Sequence, residues 1–198
     1  MSQPLDLNDP IAVLLAVTRA LRSAGFASAA YGGLALAVYG EPRETKDADL
    51  AVVGIGGKEG ESALRAAGLD VLVALDRVRF GGNMVTRLTL LGGLAGLNMA
   101  DLVEPRSPRF ARGAHERAVE GVLRGEPLRV LAAEDFVLFK ILSTRERDLE
   151  DAAAVLASAV LRLDVEAIER EVAMLSGEIT DHDVVGRWLR LQELARSR

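Results

Sequence analysis

Apolar and polar positions fall into two rhythms along the chain. Residues 9–24, DPIAVLLAVTRALRSA, repeat apolar side chains at helical spacing, with Asp9 as a cap, Pro10 in the first turn and Gly25 as the stop. Residues 26–31, FASAAY, read as a short buried strand. Gly32-Gly33 then turn the chain into a short helix, LALAVYG (34–40). The polar stretch EPRETK is a loop, and the apolar run from Asp47 to about Val53 is a strand. A glycine-rich turn over 54–60 leads to a compact helix, ESALRAAG, closed by Gly68. Residues 69–103 switch to strand rhythm. LDVLVAL, RVRF, MVTRLTLL and LNMADLV predict an antiparallel meander, turned at Gly81-Gly82 and Gly92-Gly93.

The pattern changes near Pro105 and Pro108. EPRSPRFARG reads as a linker or active-site loop, residues 114–121 as a short helix and LRVLAAED as a connector. Ala133-Glu134-Asp135 opens a helix through FVLFKIL, which STRERD interrupts or extends. LEDAAAVLASAV, VEAIEREVAMLSG and DHDVVGRWLRLQELARS are further helices. The fold class expected is α+β, a mixed sheet with flanking helices over 1–107 and a helical C-terminal domain over 108–198.

Composition narrows the chemistry. With 198 residues and 49% apolar side chains the chain can bury a large core. Lys plus Arg is 24 against 29 Asp plus Glu, a net charge of -5, which argues against passive coating of nucleic acid. Aromatic residues at 4% are too few for a stacking platform. The absence of cysteine excludes disulfides, thiolate metal sites and cysteine nucleophiles, and His115 and His182 are too isolated for a histidine metal site. No basic residue precedes the first apolar run, and glycine or charge breaks the long apolar stretches. A cytoplasmic protein without a membrane span is expected.

The informative segment is YGGLALAVYGEPRETKDADLAVV. Asp47 and Asp49, one residue apart in a strand, leave the same face. Two adjacent carboxylates repel and resist burial, a cost that a divalent cation removes. Mg²⁺ suits such a pair because it takes carboxylate oxygens, waters and substrate phosphates together. Asp101, in the apolar run LNMADLV, joins the pair if its strand lies alongside. Three aspartates could hold two cations, or one cation plus a general base. Gly32-Gly33, between a strand and a helix, exposes backbone N–H groups suited to phosphate.

These residues together resemble the DNA polymerase β-like nucleotidyltransferase superfamily, and among its members the minimal AbiEii-like and MNT-like groups. The matching positions are Gly32-Gly33, then thirteen residues, then Asp47-Ala48-Asp49, with Arg43 and Thr45 in the loop between. The resemblance implies that the glycine turn holds a nucleoside triphosphate; Arg43, Thr45 and Lys46 of the loop are candidate nucleotide contacts, with Arg43 and Lys46 alternatively plain solvated loop residues. It also implies that Asp47, Asp49 and Asp101 bind Mg²⁺ or Mn²⁺ and carry catalysis. Many members have Gly-Ser in the turn, and Gly33 lacks that hydroxyl. EDFVLFKILSTRERDLEDAAAVL resembles the helical segment that follows the catalytic domain in AbiEii-like proteins, through Glu134, Asp135, Lys140, Arg145, Asp148 and Asp151. Lys140 is read either as a triphosphate contact or as a side chain that snorkels at the domain surface or pairs with Asp148.

The activity implied is transfer of a nucleoside monophosphate from an NTP to an acceptor such as tRNA, a protein hydroxyl or a small molecule. The alternative is a non-catalytic nucleotide-binding or toxin–antitoxin regulatory protein with an antitoxin-like or self-association partner. Arg106, Arg109 and Arg112 either contact phosphate or form a salt-bridged connector. His182 reads as capping context, and Trp188 as packing for the last helix.

Overall fold

The computed structural model describes residues 5–39, 43–92 and 96–198. Gly40 at the end of the expected second helix, Glu41 and Pro42 of the expected loop, and Gly93 of the expected turn lie outside those residues.

In chain order the elements are α1 (Pro10–Ser23), β1 (Ser28–Tyr31), α2 (Gly32–Leu36), β2 (Ala48–Val52), α3 (Gly57–Ala66), β3 (Val71–Phe80), β4 (Asn83–Leu91) and β5 (Leu97–Pro105). They continue with α4 (Pro108–Arg117), β6 (Val119–Leu123), β7 (Glu126–Val130), α5 (Ala133–Ile141), α6 (Glu146–Ala157), α7 (Val165–Glu178) and α8 (Val184–Arg196). The strands form one mixed sheet in the order β3-β4-β5-β2-β1-β7-β6. The β1/β7 and β2/β5 pairs are parallel and the others antiparallel. The fold is α+β, as expected.

Local chemistry explains each start and stop. Asp9 caps α1 by accepting from the N–H groups of Ile11 and Ala12. The first turn of α3 opens at Gly57, earlier than the glycines suggest, because Glu59 accepts from the Gly56 N–H at 3.1 Å and Asp76 from the Gly57 N–H at 2.7 Å. RVRF is not a separate strand. It continues β3 through Arg77, held at φ 47° where the register with β4 shifts.

Two readings of the sequence are corrected after residue 107. The stretch expected as a loop forms α4, because Ser107 accepts from the Phe110 N–H at 3.0 Å and Pro108 fits the first helical turn. The short helix and connector expected between 114 and 135 give way to the end of α4 and the β6–β7 hairpin. That hairpin turns on Arg124 and Gly125, at φ 50° and 80°, the left-handed pair of a tight turn. β7 pairs with β1 through Ala30 and Val130, so strands from both sides of the expected 107/108 boundary share one sheet. STRERD interrupts the helix of FVLFKIL, since α5 ends at Ile141, residues 143–145 lie between the helices and α6 begins at Glu146.

The core spreads over both sheet faces. Ala48, Leu50, Ala100 and Leu102 are buried on the face that carries α3, whose Gly60 sits against Leu88 and Leu102. The opposite face carries an aromatic cluster in which Phe139 lies 5.2 Å from Tyr31 and 5.6 Å from Phe110 between ring centres. Trp188 is buried among the C-terminal helices, as expected. Among the described residues no helix is long and apolar enough to cross a membrane.

Candidate functional site

The two-residue period of the strands places the candidate chemistry. Asp49 in β2 is in register with Asp101 of the parallel neighbour β5, and on its other side with Tyr31 of β1. Residues in register on paired strands project from the same face. Asp47, just before β2, joins Tyr31, Asp49 and Asp101 in the wall of one cavity of about 460 Å³. The loop before β2 adds Arg43, Glu44, Thr45 and Lys46, and the α5–α6 junction adds Lys140, Ser143, Arg145, Arg147 and Asp148. The cavity is therefore assembled from residues on both sides of 107.

The carboxylates are not equivalent. Burial pushes the Asp49 carboxyl up to about 7. The Lys140 ammonium opposes this, while the charges of Asp101, Asp148 and Asp47 add to it. Asp101 is 4% exposed and accepts a bidentate pair of hydrogen bonds from the Arg87 guanidinium, both at 2.7 Å. Asp148 and Asp151 are also paired, whereas Asp47 and Asp49 have no ion-pair partner among the described residues. Two unpaired carboxylates, one of them destabilised by its neighbours, form a hard-oxygen donor set that fits Mg²⁺ or Mn²⁺. No group of three or more acidic or histidine side chains is gathered for a metal among the described residues.

A buried ion network stands over the carboxylates. Lys140 is 3% exposed, and its ammonium donates to Asp148 and, at 3.1 Å, to Asp151. It also lies 5.1 Å from the Tyr31 ring centre and 5.4 Å from that of Phe136. Arg43 donates to both oxygens of Asp151 at 2.8 and 2.9 Å, tying the loop before β2 to α6. Burial alone would raise the Asp148 carboxyl. The Lys140 charge and hydrogen bonds from Lys140 and Ser143 outweigh it and hold it below the usual range. Of the readings of Lys140, the structure shows the pairing with Asp148; the buried side chain also lines the cavity. An ammonium has three donors, and two are taken.

The glycine turn has a different neighbourhood from the one expected. Neither Gly32 nor Gly33 is part of the cavity wall. A Cβ on Gly32 would lie 1.9 Å from Asp49 Oδ2, and the residue adopts φ 67°. A Cβ on Gly33 would lie 2.8 Å from the Thr45 Cβ. Both glycines therefore allow the start of α2 to pack on Asp49 and Thr45, two residues that do line the cavity.

Elsewhere the charged candidates resolve into structure. Arg106 donates to Asp181 at 2.7 and 3.2 Å, and Arg109 to Glu178 at 2.7 Å and to Glu171, which makes this cluster a salt-bridged connector to the C-terminal helices. Arg112 has no ion pair among the described residues and is exposed. Asp135 is held by Arg117 and lies outside the cavity. Asp183, not His182, caps α8, and a His182 ring nitrogen lies 3.0 Å from the Ile141 carbonyl. Sequence reasoning missed Arg87, Tyr31 and Asn83. Arg87 was findable in part, since it lies four residues after Asn83 in an apolar strand where an unpaired charge would be costly.

No family profile and no curated protein matches the chain by sequence. Solved structures do resemble it in fold. The crystal structure of ANT(2")-Ia in complex with adenylyl-2"-tobramycin matches with a TM-score of 0.54 and 18% identity, over 84% of this chain and 97% of that one. The solution structure of the antibiotic-resistance factor ANT(2'')-Ia matches with a TM-score of 0.52 and 16% identity, over 95% and 97%. An antigenic nucleotidyltransferase-like protein from Paracoccidioides brasiliensis matches with a TM-score of 0.52 and 18% identity, over 99% and 96%. The chain has the nucleotidyltransferase fold.

Proposed function

We propose that the protein transfers a nucleoside monophosphate from an NTP to a hydroxyl of a small acceptor and releases pyrophosphate. The observation that carries this reading is the pair of unpaired carboxylates, Asp47 and Asp49, in the wall of a cavity whose other side is cationic. Asp47 and Asp49 would hold Mg²⁺ or Mn²⁺, which when bound supplies neutralisation of the triphosphate and activation of the acceptor hydroxyl.

The chain's own residues supply the rest. Arg87 fixes Asp101 beside Asp49 and leaves carboxylate lone pairs free, so Asp101 is the proposed third ligand or the acceptor of the hydroxyl proton. The remaining Lys140 donor, Lys46, Arg145 and Arg147 meet the phosphates from the cavity wall. Arg43 and Thr45 act by position, Arg43 through Asp151 and Thr45 through its packing on Gly33. Gly32 keeps the space that Asp49 occupies. A cavity of this size suits a small molecule, and the likeness in fold to ANT(2")-Ia, solved in complex with adenylyl-2"-tobramycin, points the same way.

The test is to incubate the purified protein with each NTP, labelled at the α-phosphate, Mg²⁺ or Mn²⁺ and a cell lysate. RNA, protein and small molecules are then separated. A labelled small-molecule adduct that Asp49→Asn abolishes is the expected result. Label in tRNA or protein would instead favour a toxin-like, defence-associated role of the kind implied by the AbiEii-like and MNT-like resemblance. Free nucleoside monophosphate without an adduct would mean hydrolysis and would refute the transferase.

A further inference from the structure

The sheet face under the carboxylates changes character from one side to the other. Over β1 and β2 it is charged, because the Lys140 ammonium stands over Tyr31 within its network with Asp148, Asp151 and Arg43, and Lys46, Arg145 and Arg147, without ion pairs among the described residues, add cations to the same cavity wall. Over β4 and β5 it becomes neutral. Register pairs Arg87 with Asp101, then Val85 with Val103, then Asn83 with Pro105, and Phe80 of β3 lies opposite Asn83. Residues two apart on each strand share the face, so this floor runs four residues from the Arg87–Asp101 pair to Asn83, ~14 Å at about 3.4 Å per residue. Val85, Val103, Phe80 and Asn83 all belong to the cavity wall.

Asn83 closes this neutral arm with an unmet requirement. It is 2% exposed, and its amide nitrogen donates to the Phe139 carbonyl at 3.1 Å, which fixes the orientation of the amide. Its Oδ1 is buried and has no hydrogen-bond partner among the described residues. A buried carbonyl oxygen without a donor is costly, and a ligand donor would relieve it.

An NTP has matching polarity, with an anionic tail, a reacting phosphorus and a neutral ring whose edge carries N–H donors. Resting on the nucleotide reading above, we propose that the arm over Val85 and Val103 holds the nucleoside and that Asn83 Oδ1 accepts a hydrogen bond from the base edge. The triphosphate then extends toward the cations over β1, and the carboxylates of β2 and β5 lie between the two ends. Asn83 is thereby a base-recognition residue, and Val85 and Val103 are the surface on which the nucleoside lies.

The test compares ATP with purine riboside triphosphate, which keeps the ring and phosphates but has no donor on that edge. Calorimetry with Mg²⁺ on the wild-type protein is expected to show ATP binding roughly five- to tenfold more tightly. Asn83→Leu is expected to erase that difference by weakening ATP while leaving the analogue nearly unchanged. Because this variant also deprives the Phe139 carbonyl of its donor, the wild-type comparison is decisive by itself if the variant does not fold. Equal affinity for the two ligands in the wild type, or a preference for ATP that survives in folded Asn83→Leu, overturns the inference alone. Failure of ATP, GTP, CTP and UTP all to bind overturns the nucleotide reading, and the inference with it.

Discussion

Replacing Asp49 by Asn should stabilise the metal-free protein while removing its activity. Asp49 carries a carboxyl pushed up to about 7 from an ordinary value of 3.8, by burial and by neighbouring carboxylates. The unfolded chain ionises this group near 3.8, whereas the folded chain resists until about 7. Across that window the unfolded state binds fewer protons, so stability falls as pH rises and stays reduced above it. A shift of that size sets a ceiling of ~4 kcal/mol at pH 8. Asp49 faces a cavity that admits water, and that screening leaves about 1–2 kcal/mol. Urea unfolding in EDTA from pH 5 to 8.5 measures it. The wild-type midpoint should drop relative to Asp49→Asn toward pH 7 and then run parallel to it. Adding Mg²⁺ at pH 8 should raise the wild-type midpoint and leave the variant nearly unmoved. Profiles that stay parallel from pH 5, with the wild type no less stable at pH 8, would refute the electrostatic reasoning.

Three further outcomes test the scaffold around that carboxylate. Lys140→Met should cost about 2–4 kcal/mol, read by urea melts, because it leaves Asp148 and Asp151 buried without their shared cation, and Asp148→Asn in the same chain should recover part of the loss. Gly32→Ala should cost roughly 2 kcal/mol or more and abolish transfer, because the new methyl would meet Asp49 at 1.9 Å and the backbone sits at φ 67°; a folded variant with normal turnover would show that Asp49 need not hold its place. Arg109→Ala, at an exposed connector, should cost only about 1 kcal/mol in a thermal melt and leave NTP affinity unchanged, and a tenfold loss of NTP affinity would return the cluster to the phosphate-binding role it was a candidate for.

Much of the site was legible because strand period and glycine spacing act locally. Asp47 and Asp49 were read onto one face from their spacing, and β2 does send Ala48 and Leu50 to the opposite, buried side. Pairings between distant segments left no comparable mark. Nothing in the local pattern couples Arg43 to Asp151, 108 residues away, or distinguishes Arg87 from any other arginine of a strand. α4 was read as a loop because Pro108 and the arginines around it suggest an irregular stretch. The deciding interaction is a single hydroxyl, that of Ser107. The β6–β7 hairpin escaped notice because its turn is Arg124-Gly125, and the arginine adopts the left-handed backbone usually given to asparagine or glycine. The glycine pair was located correctly by pattern, but its packing against Asp49 and Thr45 needed the third dimension.

The parallel pairing of β1 with β7 joins residues 100 positions apart, Ala30 and Val130. During synthesis β1 is made well before β7, and one of its two edges stays open until about a hundred further residues have left the ribosome. The meander of β3, β4 and β5 can close by short hairpin steps in the meantime, but the flank beside the carboxylates must wait. Lys140, which stands over those carboxylates, comes later still. A nascent chain arrested between β5 and β7 would therefore expose an unpaired strand edge with two uncompensated aspartates beside it, a species at risk of pairing with the wrong partner. The order of the strands in the sheet thus makes assembly of the site a late event in the life of each molecule.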